Sequence, residues 1–239
     1  SLKTSGAVSV TEKLARRLER LDPWRLRLLL VVAAVLGLLP AWLNYDIISI
    51  DGALQYIPPA RLFAAGDFVG GFNYPQPLFP ILIALVARLT GFGFELSGRL
   101  VAVVSFVLAV LALYEITFKL SRARLTALLA AALLMLNAEL VARSVDCLKE
   151  SLLLALVLWG NYLLLRRNWL ERTAGLVLIA AGFLVRPTAL FFILGWLAVW
   201  VWRDPAQRRR RCGLVLAPLA AFTALVFLNQ DYAPFRKKG

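Results

Sequence analysis

The stretch YDIISIDGALQYIPPARLFAAGDF, Tyr45 to Phe68, sets Asp46, Asp51 and Asp67 among tyrosine, proline and glycine, directly after an apolar run. Further along, charged residues stand at the ends of other apolar runs: Arg99, Arg143, Lys149 beside Glu150, and Arg186 before Pro187. These residue types support a limited chemistry. Arginine forks bind phosphate oxygens in a planar, bidentate geometry. A carboxylate can take the proton of an attacking hydroxyl. Cys147 and Cys212 are the two cysteines and there is no histidine, so a Cys/His zinc site of the usual kind is excluded. A hard cation held by carboxylates remains open, magnesium or manganese on Asp51 and Glu150 being the candidate.

The elements that must position these groups follow from composition. Hydrophobic residues make up 61% of the 239, against roughly 45–50% in soluble domains. Mean hydropathy is +0.75. Several apolar runs approach the ~20 residues that a helix needs to cross a bilayer. The class is therefore an all-α polytopic membrane protein. The net charge of +13 would suggest nucleic acid in a soluble chain. Here the bases sit between apolar runs, as membrane topology requires, and no nucleic-acid partner is expected.

Seven spans are predicted, near 28–45, 100–118, 125–141, 151–165, 173–185, 188–202 and 214–228. The apolar stretch 77–94 decides the topology. Basic loops lie at Lys119 to Arg124, Arg166 to Arg172 and Arg203 to Arg211. All three fall on the cytoplasmic side only if 77–94 does not cross. That stretch is short and carries Arg88, so it reads as a juxtamembrane or re-entrant helix on the outer side. The resulting organisation is a basic cytoplasmic or interfacial segment over 1–27, a membrane domain over 28–229 with a large outer loop at 46–99, and an outer tail over 230–239. Residues 10–21 show an amphipathic stripe suited to a helix on the inner surface, and equally to a solvated basic tail. The chain starts at Ser1, has Met135 as its single methionine and ends in RKKG, which reads as a trimmed piece of a longer protein.

This topology gathers Asp46, Asp51, Asp67, Glu95, Glu139, Asp146, Glu150 and Asp231 on the outer face, eight of the 14 acids. It also gathers Arg61, Arg88, Arg99, Arg143, Lys149 and Arg186 there. Ionisable groups at membrane depth are costly and mark function by default. Each has a plainer reading as well. Arg186 could snorkel to headgroups, Glu150 could answer a helix dipole, and Asp51 could cap the segment that follows it. Convergence on one face favours a site. A donor carried in the membrane, a sugar on a lipid phosphate, suits that face, with arginines neutralising the leaving phosphate.

The series DGALQYIPPARLFAAGDF, NYPQPLFPILIAL and SGRLVAVVS resembles the start of GT-C-type membrane glycosyltransferases, the branch that includes protein O-mannosyltransferases and aminoarabinose transferases. The matching positions are Asp51, Tyr56, Ala60, Arg61, Gly66, Pro75, Pro77, Leu78, Pro80, Gly98, Arg99 and Leu100. Later, LKESLLLALVLWGNYLLLRR is similar to the family's span-opening Lys-Glu element at Lys149 and Glu150, and AAGFLVRPTAL to its Arg-Pro element at Arg186 and Pro187. The resemblance spans about 46–190. It implies polyprenyl- or dolichyl-phosphate sugar donors, inversion at the anomeric carbon, and a first-loop acid as general base or metal ligand. By position that acid is Asp51, with Asp46 second. Where many members carry an acidic pair, Asp51 is followed here by Gly52.

The expectation is an integral-membrane glycosyltransferase of a bacterial-type inner membrane, acting at the periplasmic face on an unspecified lipid, glycan or protein acceptor. Asp51 and Glu150 are its catalytic or cation-anchoring carboxylates. Arg99 and Arg186, then Lys149 and Arg143, hold donor phosphate, and Tyr56 and Tyr74 line the substrate groove. Two alternatives stand: a flippase for lipid-linked sugars, which would need charges through the membrane depth, and a non-catalytic subunit with this fold.

Overall fold

The structure is a computed structural model, and it describes residues 18–19, 21–44, 49–74, 76–192 and 194–196. Contacts divide the chain into two units, Ser1–Pro187 and Thr188–Gly239. Among the described residues every regular element is helical. The first unit runs α1 (Pro23–Asn44), a π-helical turn (Gly52–Tyr56), α2 (Ile57–Ala65), α3 (Phe68–Phe72), α4 (Leu78–Thr90), α5 (Phe94–Ser121), α6 (Arg124–Met135), α7 (Ala138–Val145), α8 (Glu150–Leu164) and α9 (Trp169–Phe183). The expected span 188–202 is described only in part, up to residue 196, and 214–228 lies wholly outside the described residues, as do Asp46 and the stripe over 10–17.

Two helices, α1 and α5, are each long and apolar enough to cross a bilayer. On α1, Leu26, Leu30, Ala34 and Leu38 recur at intervals of four and bury one stripe against Phe106, Val110 and Tyr114 of α5 and Ala127 and Ala131 of α6. The other faces of α1 expose Leu28, Leu29, Val32, Val35, Leu36 and Leu39. A helix apolar all round, with leucines exposed on every face that its neighbours leave open, is built for lipid. The protein is therefore an integral membrane protein.

The third expected span, 125–141, is two helices. α6 and α7 bend by 62° at Leu136–Asn137, and together they count as one crossing only as a broken span. Asn137 causes the break. Its side chain accepts from Leu140 N–H at 3.0 Å and starts a new helix. The disputed stretch 77–94 forms the 13-residue α4, stopped by Gly91 at φ +74°. It is shorter than a crossing requires.

α8 and α9 form a hairpin joined at Asn168, whose side chain caps α9 through Leu170 N–H at 3.1 Å. The two helices meet backbone to backbone. A Cβ at Gly160 would lie 2.8 Å from Gly175 O, and one at Gly175 would lie 2.7 Å from Gly160 O. Only glycine permits that approach.

Candidate active site

The first loop is clamped onto the turn between α7 and α8. Ser49 N–H donates to Asp146 Oδ1 at 2.7 Å, and Asp146 is buried. Cys147 next to it is fully buried and held at φ +35°. Two glycines make room for it. A Cβ at Gly52 would stand 3.4 Å from Cys147 O, and one at Gly98 on α5 would run into Cys147 Sγ. Burial, with the Asp146 carboxylate adding to it, pushes the Cys147 thiol up to about 12. It is a packing residue rather than a nucleophile.

Above this clamp the chain makes a π-helical turn at Gly52–Tyr56, with Ile57 N–H reaching back to Gly52 O. Such turns are rare and recur at functional sites. Asp51 precedes the turn. It is exposed, and it accepts from Gln55 Nε2 at 2.8 Å. Tyr56 ends the turn, buried edge-on against Phe79 with ring centroids 5.3 Å apart.

Lys149 and Glu150 open α8. The Lys149 ammonium is buried, donates to Gln76 Oε1 and lies 5.4 Å from the centroid of the Tyr56 ring. Glu150 Oε1 faces two guanidiniums, Arg143 Nη1 at 3.6 Å and Arg186 Nη1 at 3.7 Å. Its Oε2 is buried, with no hydrogen-bond partner among the described residues. Burial raises the Tyr56 phenol above its ordinary range, and the Glu150 and Asp51 carboxylates add to this against Arg186. Burial depresses Lys149, with Arg186 on the same side and Glu150 and Asp51 opposing. The same three charges, Glu150, Asp51 and Arg186, thus act on both groups.

The structure brings Asp51, Tyr56, Arg143, Lys149, Glu150 and Arg186 into one neighbourhood. Arg99 is buried, pairs with Glu95 at 2.9 Å and acts on the Cys147 side of the clamp. Tyr74 is half-buried, with its backbone N–H on Gly71 O at 3.3 Å. Asp67 has a structural role, since its Oδ1 accepts from Gly70 N–H at 2.8 Å and caps α3. Arg61 lies exposed, 5.9 Å from the centroid of the Phe94 ring.

Sequence reading missed Gln76. It is a non-glycine residue at φ +65°, lying between Pro75 and Pro77. The Pro-Gln-Pro spelling was the available signal, because a following proline restricts the backbone of the residue before it.

The donor set suits an anion better than a cation. Glu150 already answers two arginines, and both carboxylates that a metal would need act electrostatically on the Lys149 ammonium. Among the described residues no three His, Cys, Asp or Glu side chains group as a metal site would require. Arg143, Arg186 and Lys149 could instead close on a phosphate. The two arginines' ion pairs with Glu150, at 3.6 and 3.7 Å, are long enough to be exchanged for shorter bonds, while Arg143 keeps Glu139 at 2.6 Å.

A family model described as dolichyl-phosphate-mannose-protein mannosyltransferase matches residues 74–229, more than half of the chain. The matched span contains Gln76, Arg99, Arg143, Lys149, Glu150 and Arg186, and begins after Asp51 and Tyr56. No curated protein and no solved structure matches the chain.

Proposed function

Because the chain belongs to the dolichyl-phosphate-mannose-protein mannosyltransferase family, of GT-C type, we propose that it transfers a sugar from a polyprenyl-phosphate donor to an acceptor at the periplasmic face of a bacterial-type inner membrane. The observation that carries this reading is the pair of guanidiniums on one Glu150 oxygen, 3.6 and 3.7 Å away, beside the buried Lys149 ammonium.

In the proposed reaction Arg143, Arg186 and Lys149 bind the donor phosphate. Glu150 holds the two guanidiniums in place until the phosphate arrives. The acceptor hydroxyl oxygen attacks the anomeric carbon on the face opposite the phosphate. The bond from that carbon to the phosphate oxygen breaks, and the configuration inverts. Asp51 takes the hydroxyl proton. The bond electrons leave on polyprenyl phosphate, whose added charge the arginines stabilise. Tyr56 supports the Lys149 side of the site through its ring. Tyr74 bounds the acceptor groove.

The proposed topology has seven spans, the 1–27 segment inside, the 46–99 loop outside, and a 230–239 tail outside. Engineered cysteines at Arg122 and Gly71 should label from opposite sides of sealed vesicles. Labelling from one side would move the site to the other face. The transporter reading loses ground because Glu115, the acid nearest mid-span, is paired with Arg27 at 2.6 Å.

The deciding experiment incubates the purified full-length protein with radiolabelled polyprenyl-phosphate sugars and follows donor consumption in wild type and Asp51→Asn. Consumption lost in the variant supports transfer. Donor carried across a bilayer unconsumed makes the protein a flippase.

A further inference from the structure

A second charged region lies at the other end of α5. A cavity of 520 Å³ opens between the C-terminus of α5 and the loop joining α8 to α9, lined by Lys119, Arg122, Arg166, Arg167, Asn168 and Glu171. Along α5, Arg99 and Lys119 are 20 residues apart, about 30 Å at the helical rise. That is the thickness of a bilayer core. The cavity therefore lies at the far end of α5 from Arg99, and likewise at the end of α8 opposite Glu150.

Four of the six named groups are cations and one is an acid. Glu171 pairs with Arg166 at 3.2 Å. Among the described residues no carboxylate pairs with Lys119, Arg122 or Arg167, so three positive charges face the cavity uncompensated. Like charges would drift apart here unless the backbone held them, and it does. Arg172 Nε–H donates to Arg166 O at 2.7 Å and pins the loop. Arg122 ends α5 in the left-handed region at φ +58°, a position normally left to glycine. Two of these cations also converge on one ring, since Tyr162 takes Lys119 at 5.5 Å and Arg166 at 5.8 Å. The cavity also meets the N-terminus of α9 at Asn168, the positive end of that helix dipole.

We propose that this cavity is a binding site for a phosphate group, carried by an anionic lipid headgroup or supplied as free phosphate. The cavity exceeds what a bare phosphate fills and falls within the usual size of ligand pockets. Leu165 adds an apolar wall. Both features suit a glycerophosphate headgroup entering from the bilayer edge. The site is separate from sugar transfer, and its occupancy is read without it.

The test uses the purified full-length protein in detergent. It is titrated with phosphatidylglycerol or phosphatidylcholine, and retained lipid is counted by native mass spectrometry. A third arm adds inorganic phosphate and reads the thermal denaturation midpoint. Phosphatidylglycerol should be retained in preference to phosphatidylcholine, and Arg122→Gln/Arg167→Gln should weaken that retention by about tenfold or more, as expected for losing two interfacial cations. Glu171→Gln, which removes the one acid among the described residues of the wall, should strengthen retention, and it decides the matter if the double variant fails to fold. Protection by inorganic phosphate without retention of phosphatidylglycerol keeps the site and assigns it to a soluble anion. Equal retention of both lipids, retention unchanged in the double variant, or weaker binding in Glu171→Gln overturns the proposal.

Discussion

Lys149 donates its ammonium proton to the side chain of Gln76, a residue held in the left-handed region at φ +65° just before a proline. A strained backbone of this kind costs on the order of 1–3 kcal/mol and persists only where its surroundings require it. The requirement here is a buried cation that would otherwise lose a partner, at a cost of similar size.

Gln76→Gly and Gln76→Leu separate these two terms. Both remove the acceptor of Lys149, but glycine accepts the backbone conformation and leucine does not. Both variants should lower the thermal denaturation midpoint in detergent. Leucine should cost about 1 kcal/mol more than glycine. Equal midpoints would mean that the left-handed backbone carries no strain.

Asp51 and Asp67 sit in the same loop and should respond differently to the same substitution. Asp51→Asn keeps the shape of an exposed residue and removes a base. Transfer by the full-length enzyme should fall by about 10²-fold or more, with donor affinity retained. Asp67→Asn keeps the cap on α3, since asparagine caps as well as aspartate. Its turnover should match wild type. Near-normal turnover in Asp51→Asn would shift the base to Glu150 or Asp146.

Arg186→Lys tests whether a fork is needed or only a charge. As an anchor at the membrane face, Arg186 needs a positive charge on a flexible stem, and lysine supplies one. As a phosphate ligand it needs paired planar donors, which lysine lacks. Donor affinity should fall by about 1–3 kcal/mol, the range of hydrogen bonds to charged groups. Arg61→Lys is the control, because Arg61 is exposed and lies over the Phe94 ring rather than on Glu150. Equal small effects at both positions would make Arg186 an anchor.

Gly98 and Cys147 should show strong coupling. Gly98→Ala gains about 1 kcal/mol of helix propensity inside α5. It also drives a methyl group into Cys147 Sγ, and overpacking costs about 1–3 kcal/mol. The clash should win, and the single variant should be less stable. Cys147→Ala removes the sulfur and leaves a Cβ at an ordinary 3.5 Å, so the double variant should recover most of the loss. The same thiol predicts a pH effect. Its folded pKa of about 12 lies above its ordinary value, so the folded state keeps a proton that the unfolded chain releases. That contribution to stability is complete below the ordinary thiol range and is lost as pH rises toward 12. The slope is at most about 1.4 kcal/mol per pH unit, and Cys147→Ala should remove it.

The positions of α1, α5, α8 and α9 were legible because long apolar runs bounded by charge leave a membrane chain few choices. The ends were less so. α5 begins at Phe94 and ends at Ser121, beyond the expected 100–118, since Glu95, Arg99, Lys119 and Ser121 interrupt the hydropathy signal in its end turns. The break at Asn137 was spelled out by an asparagine three residues ahead of the N–H it caps, with Glu139 in the new first turn. The apolar run on either side concealed it. The residues of the candidate site were legible as a list, and their partners were not. Nothing local in the sequence ties Lys149 to Gln76, 73 positions earlier. Nor does any pattern announce that Cys147 needs the space left by Gly98 and Gly52, since only tertiary packing brings the three together.

The contact between Gly160 and Gly175 gives the α8–α9 hairpin the mechanics of tongs. Glu150 lies ten residues before one glycine and Arg186 eleven after the other, so each arm is about 15 Å long. The gap between the tips is the 3.7 Å separation of Glu150 and Arg186. A methyl group at the pivot would splay the arms and widen that gap, although neither tip had been touched. The accuracy of the site is thus decided far from it, by the absence of two side chains.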